Sequence, residues 1–333
     1  MFKTRDDYRT SWNQAFVQDP PIPLNIDLEL ASVCNLACPF CFYGEADWNA
    51  EMQKPAEDGK PKKRFMPFEM ASMIIYQAAA LGVPALKFNW RGESTMHPQY
   101  AQILRLAADM RRTPPKAPSL NGSATNIFHD LLVNTNANCK PEAVDGLMSA
   151  TKVMVSLDSL VPETYKKMRV NGNLDRAVEV IRELLRRGHS NVWVRRVITL
   201  QNQDENFPFQ ARAAFGSEVH ISEHACFDRN ADEHHQLNDP RFERTYCGYP
   251  SQRMMIASDG TVFPCCVDYD GTMPMGKIPH QNILQIWNGD RFRTLRAELR
   301  ANTFKSKACA NCTSWMAYKA PERALVQDKE IIQ

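Results

Sequence analysis

Apolar strand patterns alternate with helical patterns along the first two-thirds of the chain, and this alternation limits the fold more than any other feature. In residues 24–31, apolar and polar residues alternate with a period of two, which is typical of a strand. Further strand patterns follow at residues 85–89, 130–135, 152–158, 192–198 and 218–221. Strands separated by helices predict a parallel sheet with right-handed crossovers. Six such repeats predict an α/β fold, a partial (β/α)6 barrel, because a closed eight-fold barrel needs more chain.

Helical patterns fill the intervals between these strands. Apolar residues and helix-boundary signals predict helices at residues 67–82, 98–112, 141–150 and 174–185. The fourth pattern stops at Gly188, a predicted C-cap. Each helix is long enough to cover one strand crossover of the predicted barrel.

The remaining segments predict how the chain is divided. Residues 1–23 are polar and end in a Pro-rich run, which predicts an extended N-terminal lead-in. Residues 24–225 are predicted to form the barrel, and the charged residues 226–246 a connector. A second module is predicted over residues 247–318, followed by a tail over 319–333.

Three cysteines directly follow the first strand pattern. Cys34, Cys38 and Cys41 form a C-x3-C-x2-C motif, and thiolates are the ligands that iron–sulfur clusters take. Since no fourth cysteine stands nearby, a four-iron cluster held here keeps one iron open to a small molecule. A structural zinc is the alternative, although zinc usually takes four ligands in C-x2-C pairs. The motif lies at the strand end where α/β proteins build active sites, and residues 44–65 are predicted to form an exposed loop beside it.

A second group of cysteines surrounds a predicted hairpin near the C-terminus. Asp259-Gly260 separates two apolar runs, which is a hairpin signal, and a helix is predicted near residues 282–300. The cysteines of this group are Cys247, Cys265, Cys266, Cys309 and Cys312. Four thiolates in two separated halves fit a fully ligated metal centre, for which iron–sulfur and zinc remain alternatives.

Composition excludes several classes of protein. The 333 residues carry a formal charge of +2, which supports neither nucleic-acid binding nor attachment to a membrane surface. No apolar run approaches the length of a spanning helix, and the N-terminus lacks the apolar core of a secretory signal. Ten cysteines without an export signal predict metal binding in a reducing cytoplasm rather than disulfides.

Taken together, the motifs resemble those of the radical S-adenosylmethionine (radical SAM) superfamily. The resemblance rests on the C-x3-C-x2-C motif, on Gly92-Glu93 after the second strand, on Ser156-Leu157-Asp158 and on Asn202. The C-terminal cysteines resemble the twitch form of the SPASM module, in which four residues separate a glycine from the next cysteine, as between Gly260 and Cys265. Residues 281–296 are similar to the segment that joins the two halves of that module, so the resemblance covers residues 24–315.

The resemblance implies three cofactors. A [4Fe–4S] cluster is expected on Cys34, Cys38 and Cys41, with S-adenosylmethionine (SAM) on its fourth iron. One auxiliary [4Fe–4S] cluster is expected on Cys247, Cys265, Cys309 and Cys312, with Cys266 as the rival of Cys265. A flavodoxin or ferredoxin is implied as the electron donor.

The resemblance also implies roles for residues at the strand ends. Glu93, with the backbone at Gly92, is expected to hold the SAM amine; the alternative is that Glu93 caps the next helix. Ser156 and Asp158 are expected near the SAM ribose or the substrate, or are an ordinary polar pair at a strand end.

Three further residues are candidate site residues. Asn202 is a candidate SAM contact. Phe40 is expected to pack against adenine or to anchor the loop. Arg91 stands where the family more commonly has glycine, so a substrate-specific role is a hypothesis for it.

Three functions are compatible with this pattern. The first is an oxidoreductase that removes a hydrogen atom from a small molecule, such as a sugar or aminocyclitol, or from a peptide, and passes an electron to the auxiliary cluster. The second is a redox-neutral epimerase in which Cys226 returns a hydrogen atom, although a buried, inert cysteine is an alternative there. The third is a non-enzymatic scaffold that holds zinc or iron–sulfur.

Overall fold

The computed structural model describes residues 2, 4–15, 17–55, 59, 63–112, 128–225, 247–310 and 312. The strands in these residues are β1 (Asn25–Leu28), β2 (Ala85–Lys87), β3 (Asp130–Thr135), β4 (Lys152–Ser156), β5 (Val192–Ile198), β6 (His220–Ala225), β7 (Arg253–Ile256), β8 (Thr261–Phe263) and β9 (Gly276–Lys277). The α-helices are α1 (Arg5–Gln14), α2 (Ala46–Gln53), α3 (Phe68–Leu81), α4 (Tyr100–Arg112), α5 (Pro141–Ser149), α6 (Pro162–Met168), α7 (Leu174–Arg186), α8 (Phe207–Phe215), α9 (Tyr249–Gln252), α10 (Ile283–Trp287), α11 (Asp290–Arg300) and α12 (Lys307–Ala310).

All nine strands belong to one sheet, in the order β6-β5-β4-β3-β2-β1-β7-β8-β9. Strands β1 to β6 pair in parallel with their sequence neighbours, and a helix crosses over between each pair. The partial (β/α)6 barrel predicted from the alternation is therefore confirmed. The predicted hairpin is also present, as β7 and β8, and β7 pairs in parallel with β1 at the edge of the barrel sheet.

The core lies between the sheet and the helices that cover its outer face. On β4 and β5, Val153, Val155, Val192 and Val194 are fully buried and belong to the main apolar cluster. Helix α7 contributes the apolar face predicted from its periodicity, including Ile181. Because side chains alternate along a strand, the intervening residues of β4 and β5 point to the opposite face, which is the barrel interior.

Two segments predicted to lack regular structure form helices. Within the expected lead-in, α1 is stabilised by a capping box between Thr4 and Asp7 and buries Tyr8 against the barrel. Its polar composition hid this helix, because only one edge of α1 is apolar. Helix α2 lies within residues 44–65, where an exposed loop was expected.

Two other predictions were imprecise in their boundaries. The helix expected near residues 282–300 is two helices, because α10 ends at Trp287 and α11 begins after Gly289. The buried indole of Trp287 donates a hydrogen bond to the Pro20 carbonyl at 2.9 Å, which fixes the end of α10. Strand β6 lies further along the chain than predicted, because six of its residues pair with β5.

A buried ion pair joins the ends of the barrel strands to the C-terminal hairpin. Arg91, beyond β2, donates to both carboxylate oxygens of Glu29, beyond β1, at 2.6 and 3.0 Å. Glu29 also accepts a hydrogen bond from the Ser258 backbone at 2.9 Å, and Arg91 donates to the Tyr269 carbonyl at 3.1 Å. The structure thus places Arg91 in this ion pair, and the substrate-specific role considered from the sequence stays a prediction.

Removal of one partner from this pair is expected to destabilise the fold strongly. In Glu29→Gln the Arg91 charge stays buried without a counter-charge, and breaking such a pair costs about 3–5 kcal/mol. Chemical unfolding under anaerobic conditions measures the loss. The matched control is Glu183→Gln, which breaks the exposed pair between Glu183 and Arg186 and is expected to cost less than about 1 kcal/mol. Equal losses in the two variants would contradict the importance of the buried pair.

Candidate active site

The three cysteines after β1 lie on one loop, and neighbouring thiols contribute to the pKa shifts of Cys34 and Cys41. The Cys41 backbone donates to the Cys38 carbonyl at 3.0 Å, and the Leu36 backbone donates to the Cys34 thiol at 3.4 Å. Burial raises the pKa of Cys34 to about 12 and that of Cys41 to about 11. Thiols in such surroundings are protonated at neutral pH unless a metal displaces the proton.

A cavity of about 720 Å³ opens beside this loop. It is large enough for a small ligand, since ligand cavities commonly measure about 300–1,000 Å³. The predicted site residues that line it are Phe40, Gly92, Glu93, Ser156 and the three cysteines Cys34, Cys38 and Cys41. The structure therefore brings seven of the predicted residues to one space at the C-terminal ends of the strands.

Gly92 allows the cysteine loop to approach the end of β2. It has a φ of +70°, and a Cβ atom at this position would clash with the carbonyl oxygens of Ala31 and Val33. The next residue, Glu93, donates its backbone N–H to the Val33 carbonyl at 2.8 Å. This close backbone contact places the Gly92-Glu93 motif directly against the loop that carries Cys34.

The Glu93 carboxylate is buried and accepts four hydrogen bonds. Its donors are the hydroxyls of Thr95 and Thr135, at 2.6 and 2.8 Å, and the backbone N–H groups of Thr95 and Asn136, at 3.2 and 2.7 Å. The contact with the Thr95 backbone caps the short 3-10 helix Ser94–Met96, as the alternative interpretation expected. Glu93 also reaches the cavity, so it serves the local structure and remains a candidate for an ammonium group.

Asp158 and Asn202 lie in a buried network beside the cavity rather than in its lining. Asp158 has a φ of +65°, and its carboxylate accepts from the Val197 backbone at 2.8 Å and pairs with Arg169 at 2.5 Å. Asn202 donates to the carbonyl oxygens of Asp158 and Val197 at 2.9 and 3.0 Å and accepts from the Thr199 backbone at 2.8 Å. These bonds hold the C-terminal end of β5 against that of β4.

Arg169 is a cavity residue that sequence reasoning did not identify. Its guanidinium donates to the Cys38 thiol at 3.5 Å, pairs with Asp158, and lies 5.4 Å from the centre of the Phe40 ring. Arg169 follows α6, which the sequence analysis also missed, so no motif pointed to it. The contact places a positive charge beside a cysteine, where it favours the thiolate form.

The cysteines of the C-terminal hairpin also lie close together. A hydrogen bond with the Cys266 thiol, followed by burial and the nearby thiols of Cys247 and Cys312, raises the pKa of Cys265. Cys309 and Cys312 are held by a turn in which the Cys312 backbone donates to the Cys309 carbonyl at 3.3 Å. Cys266 lines the 720 Å³ cavity, which therefore has walls from both cysteine groups.

Trp90 connects these two walls. It lies two residues before Gly92, lines the cavity, and donates its indole N–H to the Cys266 carbonyl at 2.9 Å. Its ring packs 5.2 Å from the Phe263 ring on β8 and 4.2 Å from the Arg91 guanidinium.

Comparison with known proteins identifies the family. The profile of the radical SAM superfamily matches residues 28–208, and that of the iron–sulfur cluster-binding SPASM domain matches residues 247–313. This chain belongs to the radical SAM superfamily. The resemblance inferred from the cysteine motifs is thus confirmed, and with it the cofactors: a [4Fe–4S] cluster, SAM and an auxiliary iron–sulfur centre.

Curated relatives match over only part of their length. A SAM-dependent 2-deoxy-scyllo-inosamine dehydrogenase of Niallia circulans is 36% identical over 69 residues, which is 20% of this chain and 28% of the relative. A GTP 3′,8-cyclase of Alkaliphilus oremlandii is 24% identical over 165 residues, 48% of this chain and 43% of the relative. In both cases the match spans less than half of the relative.

Solved radical SAM structures share the fold at low identity. BtrN in complex with AdoMet and 2-DOIA is 19% identical, with a TM-score of 0.52, over 89% of this chain and 94% of that chain. AdoMet-bound anSMEcpe is 15% identical, with a TM-score of 0.59, over 88% and 84% of the two chains. Streptococcus suis SuiB bound to S-adenosylmethionine is 16% identical, with a TM-score of 0.57, over 94% and 77%.

The residues at the cavity fit the cofactors of this superfamily. The loop provides three thiols, and Gly92 leaves room for close backbone packing. Asn134 lines the same cavity, and its buried side-chain oxygen has no hydrogen-bond partner among the described residues. Among the residues that the structure describes, no three His, Cys, Asp or Glu side chains form a site for a single metal ion. The fit therefore rests on the number and loop spacing of the thiols.

Substitution of Gly92 is expected to abolish SAM binding. In Gly92→Ala the new methyl group meets two backbone carbonyls that cannot move independently of the cysteine loop. Equilibrium dialysis with labelled SAM measures the loss. Gly188→Ala is the matched control, because Gly188 has a similar φ of +81° but open space around it, and it is expected to cost about 1 kcal/mol of stability with SAM binding intact. Normal SAM binding by Gly92→Ala would contradict this assignment.

Iron content is expected to distinguish Cys265 from Cys266. If Cys265 is the auxiliary ligand, Cys265→Ala lowers the iron content of the reconstituted protein from about eight toward about four per chain, since each four-iron cluster takes its own thiolates. Cys266→Ala is expected to keep the higher value. The opposite result would assign the ligand to Cys266.

Proposed function

We propose that this radical SAM enzyme dehydrogenates its substrate, which is a small molecule or a peptide, with the auxiliary cluster as the electron acceptor. The observation that supports the proposal is the shared cavity, which has Cys34, Cys38 and Cys41 on one wall and Cys266 on another. A substrate in this cavity lies between the two cysteine groups. Cys34, Cys38 and Cys41 would hold the first cluster, and Cys247, Cys265, Cys309 and Cys312 the auxiliary one.

The chemistry divides between the cofactors and the chain. When bound, the first cluster and SAM would supply a 5′-deoxyadenosyl radical for removal of a hydrogen atom from the substrate, and the auxiliary cluster would supply an acceptor for the electron that leaves with a proton. Glu93 and Gly92 orient the SAM amine against the cysteine loop. The rings of Phe40, Phe42 and Tyr43 line the cavity and help to exclude water.

Arg169 holds a positive charge at the Cys38 thiol throughout. Its own charge is fixed by the buried pair with Asp158, since burial disfavours it but Asp158 and Cys38 raise its pKa. Arg169 thereby orients Cys38 and offsets part of the rise that burial causes in the pKa of the Cys38 thiol. The pair also keeps Asp158 from reaching the cavity as a free carboxylate.

A redox-neutral reaction is the second candidate, and one observation favours it. Cys226, the hydrogen donor expected from the sequence, lies outside the described residues. Cys266, however, lines the cavity and is not part of the predicted auxiliary set. Its thiol, which donates to the Tyr249 hydroxyl at 3.7 Å, is therefore the alternative candidate to return a hydrogen atom to a substrate radical. In this reaction the substrate keeps its mass and takes up one hydrogen from solvent. Membership of the superfamily leaves no support for the non-enzymatic scaffold.

Reduction with dithionite in the presence of SAM is expected to release 5′-deoxyadenosine. Replacement of Cys34, Cys38 and Cys41 by alanine removes the cluster ligands, so this triple variant is expected to release none, whereas Cys139→Ala, which changes a buried thiol outside both groups, retains the activity. Liquid chromatography with mass detection measures the nucleoside. Release by the triple variant would overturn the proposed function.

Product mass then separates the two reactions. In deuterated buffer, dehydrogenation yields a product two hydrogens lighter than the substrate, whereas the redox-neutral reaction returns an isomer that carries one deuterium. Cys266→Ala is expected to abolish the deuterium uptake but not the loss of two hydrogens.

A further inference from the structure

The inner face of the barrel carries a row of polar side chains across β4, β5 and β6. In the parallel register, Ser156 pairs with Arg195, and Arg195 pairs with Ser222. Residues in register on neighbouring strands point to the same face of the sheet. Val155 and Val194, which precede Ser156 and Arg195 in the chain, are buried against the helices. Ser156, Arg195 and Ser222 therefore point into the barrel interior, where Ser156 lines the 720 Å³ cavity.

Arg195 is a half-buried cation that lacks an acidic partner among the described residues. Within the described part of the chain, its guanidinium makes only a weak contact, 4.0 Å from Nη1 to the Met154 sulfur. Three more strongly buried arginines of the barrel are paired with carboxylates: Arg91 with Glu29, Arg169 with Asp158, and Arg196 with Glu223. An arginine stays charged even when burial lowers its pKa, so Arg195 presents a positive charge that no carboxylate of the described residues pairs with.

The groups around Arg195 do not neutralise it. The hydroxyl of Ser222 is buried and has no hydrogen-bond partner in the described part of the chain. Burial and the charge of Arg195 lower the pKa of His224 on β6 to about 4, so this imidazole is neutral. Asp158 faces Arg195 at longer range, but its carboxylate is already committed to Arg169 and to the Val197 backbone. Tyr249, on α9, also lies near Arg195 but carries a phenol rather than a carboxylate.

We propose that Ser156, Arg195 and Ser222 form an anion-binding recess, and that the substrate carries a carboxylate or phosphate group that occupies it. A desolvated guanidinium binds such oxyanions with two parallel hydrogen bonds, and the two serine hydroxyls supply further donors. The inference rests on the proposed function and narrows its substrate class to acidic small molecules or acidic peptides. The recess would orient the substrate by its charged end and leave a C–H bond facing the cavity.

The position of the recess favours the substrate over SAM as the source of the anion. Three strands, β4, β3 and β2, lie between β5 and β1, after which the cysteine loop follows. Glu93, the candidate for the SAM amine, follows β2 on the side of that loop. The recess thus lies across the barrel from the groups that would hold the amino-acid part of SAM.

Binding of inorganic phosphate tests the recess without knowledge of the substrate. Calorimetric titration of the anaerobically reconstituted full chain with phosphate, and separately with acetate, at constant ionic strength is expected to show saturable binding of at least one anion. In Arg195→Gln this binding is expected to weaken roughly 10- to 100-fold, as expected for the loss of a charged hydrogen bond. Arg9→Gln, which removes an exposed charge on α1, is the control for net charge and is expected to bind as the wild type does.

Two further variants keep the test decisive if Arg195→Gln does not fold. Arg195→Lys retains the charge but not the paired geometry, and Ser222→Ala removes one hydroxyl; both are expected to weaken phosphate binding by smaller factors. Circular dichroism checks the fold of each variant. The proposed anion-binding role of the recess would be overturned if the wild type bound neither anion. Equal binding by the wild type and all folded variants would overturn it as well.

Binding of SAM and of decarboxylated SAM distinguishes the two sources of a carboxylate. Arg195→Gln is expected to leave both affinities unchanged. If it weakens SAM binding but not that of decarboxylated SAM, Arg195 holds the carboxylate of SAM and the substrate assignment is wrong. A wild-type enzyme that binds phosphate at Arg195 but never releases 5′-deoxyadenosine would contradict the proposed function alone.

Discussion

The buried pair between Arg91 and Glu29 is the interaction on which the arrangement of this molecule depends. It joins the ends of β1 and β2 and, through Ser258 and Tyr269, attaches the C-terminal hairpin to them. Each charge is desolvated and is tolerated because the other is present and the remaining polar atoms have hydrogen-bond partners. The cavity between the two cysteine groups exists because this pair holds its walls in place.

Four consecutive residues at the end of β2 serve both sides of that cavity. Trp90 and Arg91 contact the hairpin loop that follows Cys265, whereas Gly92 and Glu93 contact the cysteine loop that follows β1. A single short segment therefore sets the positions of two groups of thiols that are more than two hundred residues apart in sequence. The remaining strands and the segment after α6 provide the polar interior, where Arg169 pairs with Asp158 and Arg195 has no acidic partner among the described residues.

Much of the fold followed from the sequence because periodicity reports which face of an element is buried. Strands β3 and β5 have the predicted bounds, and the cysteine motif lies at the predicted strand end. Helix α1 escaped prediction because its stability comes from capping and from Tyr8, not from a continuous apolar face. Arg169 and Arg195 were not predicted either. The role of Arg169 depends on partners that are distant in sequence, and the lack of an acidic partner for Arg195 among the described residues leaves no sequence motif.

The parallel pairing of β7 with β1 has a consequence for protein engineering. The hairpin is hydrogen-bonded into the barrel sheet, and Trp90 and Arg91 contact the loop that follows it. The two regions matched by the family profiles are therefore not domains that can be exchanged independently. A chimera that exchanges only the C-terminal region for that of another enzyme would lose the partners of Trp90 and Arg91. Such an exchange would have to include the end of β2 and Glu29, so the natural unit of transplantation is discontinuous in sequence.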